Sequence, residues 1–357
     1  MDDGNPVALA ALGKRRVAVV HHWDADGITS AALVMEEVRR VSPGVKVHNC
    51  SPTIGRWALD EGEVASIRTW APDLLVIVDL AIRDDDLDAI LDNMPGVLAL
   101  MVDHHRAEVP EHPRLEYHNP VADGLPETDY PACSWVLREM MGRDMDLLTV
   151  LGIFGDRGRG MVDEPIWGPM QEFLAASEMD WNDMHLLVDL VDSSAKRLDL
   201  PAVNAAVGHL LEGWREPKGL LELPEWLNGN DEVEQALLRE LERGPETVTY
   251  GMLIKTIDTP YLVISTAARR LLRTREEEVV IVVNLGYSDE EVQVYVRRKG
   301  DLDLAPLIPV MRSKGYSAGG KGEVLGVILP QDDVAWLLCN VQEYVQDARG
   351  AGGDRLR

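Results

Sequence analysis

Through the first half of the chain, compact apolar runs alternate with stretches whose apolar residues recur every three or four positions. Arg16 to His22 is β-branched and predicts a strand, while Ile28 to Val41 has a helical period and stops before Pro43-Gly44. Val45 to Cys50 predicts a second strand, Trp57 to Trp70 a helix, and Leu74 to Asp79 a third strand. Asp84 to Met94 reads as a helix whose first turn holds Asp84, Asp85 and Asp86, where carboxylates suit the positive end of the helix dipole. Gly96 to Asp103 is a fourth strand and Leu115 to His118 a candidate fifth, followed by helices near Ser134 to Met141 and Asp146 to Phe154. This alternation predicts a parallel α/β sheet.

From Gly158 to Thr247 the pattern is helical, interrupted by Pro165, Pro169, Pro201, Pro217 and Pro224. Strands return from Thr249 onward. Glu278 to Asn284 and Val292 to Arg297 read as neighbours joined across Gly286-Tyr287-Ser288, Gly322 to Leu329 as another strand, and Ala335 to Val345 as a closing helix. The expected organisation is α/β: a parallel-sheet domain over 1–160, a helical connector over 161–247, a smaller α/β domain with a mixed sheet over 248–346, and a flexible tail over 347–357.

Composition narrows the class. At 357 residues, 46% hydrophobic and 27% charged, the chain is an ordinary globular mixture long enough for two cores. No apolar run approaches the ~18–20 residues needed to span a bilayer. The acidic start Met1-Asp2-Asp3-Gly4 lacks the basic region of a signal peptide, so a cytoplasmic protein without membrane partners is expected. Cys50, Cys133 and Cys339 are scattered without a CxxC pair, which argues against a disulfide framework or a structural zinc site. The net charge of −26 opposes broad binding to duplex nucleic acid, which needs a basic surface. It leaves room for a nucleic-acid substrate held by a local basic cleft and metal ions. A salt-rich interior would account for it equally well.

Four segments carry candidate chemistry. His21-His22-Trp23-Asp24-Ala25-Asp26-Gly27 follows the first strand, with two carboxylates flanking a small residue and a glycine turning into a helix whose N-terminus favours phosphate. Val76-Ile77-Val78-Asp79 ends a buried strand on a carboxylate, and Asp103-His104-His105 follows the fourth strand. Gly152-Ile153-Phe154-Gly155-Asp156-Arg157-Gly158 puts an Asp at a helix end, where the dipole disfavours it and a cation is a natural partner. Taken singly, each segment also fits a solvated turn or a helix cap. Together they place carboxylates at the ends of three inferred parallel strands, the edge where open α/β sheets bind ligands. Such a set offers enough oxygens and imidazoles for two metals ~3.5–4 Å apart, as in phosphoryl transfer. The complete Walker pattern GxxxxGK[ST] is absent.

The order DxDG, Asp, DHH, GDRG resembles the DHH phosphoesterase superfamily. The segment His22 to Ser30 and the later Asn119-Pro120 are most similar to its RecJ-like branch, archaeal members in particular. The resemblance covers roughly residues 15–160. It implies two divalent ions, Mn²⁺ first and Mg²⁺ as the alternative, held by Asp24, Asp26, Asp79, His104 and Asp156, with Asp79 bridging. It further implies that Asp103 supports the site, that His105 touches the phosphate or leaving group, and that activated water is the nucleophile. His22 is placed as a ligand or a supporting donor, and His21, on the other face of its strand, as structural. Members of the family also carry a second domain with a glycine-rich GGH motif. Gly319-Gly320-Lys321-Gly322 stands at that place, with Lys321 where the histidine is expected. Lysine supplies a point charge for phosphate but no neutral acid–base group. Arg297 resembles the family's phosphate-gripping arginine, with Arg298 as the register alternative.

Two further features stay open in the sequence. Arg269-Arg270-Leu271-Leu272-Arg273-Thr274-Arg275 is either the lining of a single-strand path or a solvated helix end, and Trp23 either stacks on a base or packs in the core. The expected activity is metal-dependent hydrolysis of single-stranded nucleic acid by a RecJ-like exonuclease. The alternatives are a hydrolase of short oligonucleotides, bisphosphate nucleotides or cyclic dinucleotides, and a non-catalytic replisome scaffold. Expected partners are the nucleic-acid substrate and either a second copy of the chain or a replication protein.

Overall fold

The computed structural model describes residues 4–56, 58–288 and 290–353. For Arg159, Lys321 and residues 349–353 only the backbone is described. The chain divides into two units, one up to Asn230 and one from Asp231.

The first unit begins with α1 (Pro6–Ala11), β1 (Arg16–His21), α2 (Ala25–Val41), β2 (Lys46–Cys50), α3 (Glu61–Trp70), β3 (Leu74–Val78), α4 (Asp84–Asp92), β4 (Leu98–Val102) and β5 (Leu115–His118). The five strands form one parallel sheet in the order β2-β1-β3-β4-β5. β1 and β3 are the inner strands most deeply buried, and both are almost wholly Val, Ala, Leu and Ile, as a sheet covered on two faces requires. The β1–β3 junction is where the strand order reverses, so the C-terminal ends of β1, β3 and β4 open into one crevice.

Helices α5 (Cys133–Met141) and α6 (Leu147–Arg157) lie against α2 on one face of the sheet. The helical stretch that follows comprises α7 (Trp167–Ala176), α8 (Trp181–Lys196), α9 (Leu200–Gly213), α10 (Pro217–Leu220) and α11 (Pro224–Arg243). Three of its prolines open helices rather than break them: Pro201, Pro217 and Pro224 sit in first turns, where no backbone N–H is needed. α8 packs on α6, and α9 on α2 and β2, so Met184, Leu187, Val203 and Val207 belong to the same core as β1 and α2. α11 crosses the division between the units.

The second unit contains β6 (Glu246–Thr249), β7 (Met252–Ile257), α12 (Ile264–Thr274), β8 (Val279–Asn284), β9 (Glu291–Arg298), α13 (Leu307–Ser313), β10 (Ser317–Lys321), β11 (Val324–Pro330) and α14 (Val334–Gly353). The sheet is mixed, in the order β10-β11-β9-β8-β7-β6, with β7 and β8 parallel and the other pairs antiparallel. β8 and β9 pair antiparallel, as the turn residues between them predict. The glycine-rich segment at 319–320 lies within the edge strand β10, opposite Gly326 and Leu325. α14 carries the expected tail residues 347–353 as helix, and 354–357 fall outside the described residues. Among the described residues no helix is long and apolar enough to cross a membrane.

Candidate metal centre

Each candidate ligand is delivered by a strand end or helix end whose backbone fixes it. Asp24 is the N-cap of α2 and accepts the Gly27 amide at 3.1 Å. Gly27 is required by close approach: a Cβ there would lie 2.4 Å from the His22 carbonyl oxygen. Asp26, fully buried, accepts two amides from the N-terminus of α5, Cys133 at 2.6 Å and Ser134 at 3.0 Å. Asp79 follows β3 in a left-handed conformation, φ 60, and donates its amide to the Val102 carbonyl at 3.0 Å. An Asp tolerates that region better than most residues, and strain of this kind collects at functional sites.

The turn after β4 places His104 and His105. Asp103, buried, accepts the His104 amide and His105 Nδ1 through one oxygen, both at 2.8 Å. Asn119 donates to the His105 carbonyl at 2.9 Å and accepts the Val121 and Ala122 amides, so the Asn119-Pro120 corner clamps this turn from β5. Asp156 sits in the last turn of α6.

These side chains converge. His104 Nε2 is 3.0 Å from Asp156, 3.4 Å from Asp79 and 3.8 Å from Asp26. His22 Nδ1 is 2.8 Å from Asp24 and 3.8 Å from Asp79. Three sets of donor atoms lie within 4.8 Å of one another: Asp79, His104 and His105; His22, Asp24 and Asp79; and Asp26, His104 and Asp156. Asp79 joins the first two and His104 the first and third, so the sets form one continuous cluster.

The electrostatics suit a divalent cation. Burial, reinforced by the charges of Asp156 and Asp24, raises Asp26 to about 6 against the pull of His104. Burial and the nearby charge of Asp26 raise Asp79 well above the usual carboxylate range. Burial pushes His104 down, but Asp156 and Asp79 outweigh it and hold the imidazole well above its ordinary value. Burial likewise opposes ionisation of Asp24 and Asp103, and is outweighed by His22 and His105 respectively, so both carboxyls lie below their ordinary range. Asp79 Oδ1 is buried with no hydrogen bond to satisfy it. Crowded carboxylates with an unsatisfied oxygen, together with imidazole nitrogens, fit a divalent ion of the Mn²⁺ or Mg²⁺ class.

Residues 16–151 match the family described as the DHH family, N-terminal domain. The chain carries a DHH family domain. No curated protein matches the sequence. Among solved structures, a DHH domain from a protein described as a member of a family of ribosomal proteins superposes with a TM-score of 0.72 at 16% identity, over 96% of this chain and 88% of that one. RecJ from Thermus thermophilus in complex with Mn²⁺ gives 0.66 at 19% identity, over 97% of this chain. The alignment spans 55% of that RecJ, about half its length. A pGpG-specific phosphodiesterase from Vibrio gives 0.51 at 14% identity, over 94% of this chain and all of that one. At these identities the likeness is one of fold.

Within the DHH domain, Trp23 is core: it is 7% exposed and its ring lies 4.1 Å from that of His22. His21 is fully buried and bonded through Nδ1 to the His22 carbonyl at 2.7 Å, with burial lowering it to about 4.

The candidates of the second unit lie on its sheet. Arg297 and Arg298 end β9. Arg297 pairs with Glu323 at 3.2 Å, and Arg298 donates to the Gly322 carbonyl at 3.3 Å. Gly319 and Gly320 are in β10. A Cβ at Gly319 would meet nothing within 4 Å, whereas one at Gly320, φ +146, would lie 2.1 Å from the Val324 carbonyl oxygen. The side chain of Lys321 lies outside the described residues. In the basic segment, Arg270 is paired with Glu234 and Arg275 with Glu246, while Ala267, Ala268 and Leu271 of α12 face the core. That segment is thus partly neutralised within its own unit.

Sequence reasoning missed two supports of the centre. Gly152 of α6 lies where a Cβ would be 2.3 Å from Asp26 Oδ1 and 2.2 Å from Ser134 Oγ. Asp192 of α8 accepts the Ala25 amide at 3.0 Å. The available signal for Asp192 was a carboxylate among Leu187, Leu190, Val191 and Ala195, all buried.

Proposed function

We propose that the chain is a divalent-metal-dependent phosphodiesterase that hydrolyses single-stranded nucleic acid, in the manner of a RecJ-type exonuclease. The observation that carries this reading is the continuous donor cluster in which Asp79 is common to two sets and His104 to two. Asp24, Asp26, Asp79, His104 and Asp156, with His22, would hold two ions, Mn²⁺ or Mg²⁺, with Asp79 shared. When bound, such ions supply Lewis acidity to the phosphoryl oxygens and lower the pKa of water.

The chain's own residues do the rest. Asp103 fixes the ring of His105 through Nδ1. His105, from a side chain 34% exposed, would then offer an Nε2 proton to a phosphate oxygen or the leaving oxygen. Arg297, Arg298, Gly319, Gly320 and Lys321 would hold the remainder of the substrate, the arginines by charge and the glycines by letting a strand backbone approach it closely.

A second reading keeps the chemistry and shortens the substrate to a few nucleotides. The net charge of −26 favours it, because a long strand meets more of the repelling surface. A labelled series from dinucleotides to long single strands, in DNA and RNA, with Mn²⁺, decides between them. Activity that persists on long strands supports the exonuclease, and activity confined to two to five nucleotides supports the second reading. No Mn²⁺-dependent hydrolysis at any length contradicts both.

A further inference from the structure

The turn that carries Asp24 and Asp26 is held from outside the segment matched to the DHH family. Its middle residue, Ala25, is fully buried, and its amide donates to Asp192 Oδ1 at 3.0 Å. On another side the turn meets Gly155 of α6, where an added Cβ would be 3.0 Å from the Ala25 Cβ and 3.6 Å from the Asp26 nitrogen. The Ala25 peptide is therefore bounded by a helix backbone and by one carboxylate from α8. At the start of α2 the first amides have no intrahelical acceptor. Asp24 takes one of them, Gly27, and Asp192 takes another.

We propose that Asp192 is a positioning residue for the metal centre, through which the helical layer sets the direction of the two carboxylates flanking Ala25. The inference rests on the metal-dependent reading above and extends it to a residue outside the candidate ligand set. Asp24 and Asp26 flank Ala25 directly, so a shift of the Ala25 backbone displaces the attachment points of both. Gly155 fixes where the peptide lies, and the bond to Asp192 fixes its rotation. Outer residues that orient ligands typically change metal affinity by ~10–100-fold when removed.

The test compares Asp192→Ala, which loses the acceptor, with Asp192→Asn, whose carboxamide oxygen keeps it. Mn²⁺ alone is titrated into each full-length protein by calorimetry, with unfolding followed in EDTA to confirm the fold. Asp192→Ala is expected to bind Mn²⁺ at least ~10-fold more weakly, with Asp192→Asn close to the wild type. Equal affinity for Asp192→Ala and wild type overturns the inference, and so does an equal loss in both variants. Wild-type protein that binds no Mn²⁺ removes the functional reading itself. Amide exchange of the wild type supplies a check free of any variant: Ala25 is expected to be strongly protected, and rapid exchange there overturns the proposal.

Discussion

His104 Nε2 stands 3.0 Å from Asp156 Oδ2 and so joins the loop after β4 to the last turn of α6. A carboxylate in that turn works against the helix dipole, and its gain comes from the charge it faces. Replacing His104 with Ala removes a nitrogen donor shared by two of the three sets. Mn²⁺-dependent hydrolysis is expected to fall on the order of 10³-fold, the equivalent of several kcal/mol of lost charge stabilisation. A steady-state assay with protein whose unfolding midpoint is unchanged checks it.

Gly152 permits α6 to approach α2 at Asp26. Gly152→Ala would force a methyl group to within 2.3 Å of Asp26 Oδ1, so backbone or side chain must shift. Overpacking of this kind costs ~1–3 kcal/mol, measurable by urea unfolding, and Mn²⁺ affinity is expected to weaken in parallel because Asp26 moves. Alanine's better helix propensity, worth under ~1 kcal/mol, works the other way and is the smaller effect.

The raised carboxyls give the metal response a pH dependence of defined sign. Asp26, held at about 6, binds a proton more tightly in the folded apo protein than in the unfolded chain. Its contribution to apo stability therefore increases as pH falls through about 6. A cation must displace that proton, so the Mn²⁺-induced rise in Tm is expected to be large at about pH 7.5 and to shrink toward about pH 5. Thermal scans with EDTA and with Mn²⁺ at several pH values separate the two trends.

A net charge of −26 raises the energy of the folded state by self-repulsion. Screening length falls from ~10 Å at 0.1 M salt to ~3 Å at 1 M. Stability is therefore expected to rise with KCl, and a gain of ~1–2 kcal/mol would shift a large unit's Tm by ~2–8 °C. A flat or falling midpoint between ~0.1 and ~2 M KCl would show that local attractive pairs outweigh the overall repulsion.

The parallel strands of the first sheet were legible because β1, β3 and β4 are largely apolar runs, each followed within three residues by a carboxylate. The side chains that follow these strands are the ones that meet. Asp192 shows where local pattern stops being informative. Its role depends on the Ala25 amide far along the chain, and a single Asp gives the same signal on a surface. Gly319 and Gly320 read in the sequence only as a glycine-rich segment, but they pair in register with β11, and only the long-range ladder reveals that. Pro201 and Pro217 suggest interruptions, whereas each occupies a first turn that has no use for an N–H.

The most direct test of the two-ion cluster is Mn²⁺ titration of the wild type and Asp79→Ala by isothermal calorimetry, with the apo fold of both verified. The wild type is expected to bind two ions per chain, and Asp79→Ala to lose tight binding of both, because Asp79 lies in two donor sets. Two-ion binding that survives in Asp79→Ala, or a wild type that binds none, contradicts the account.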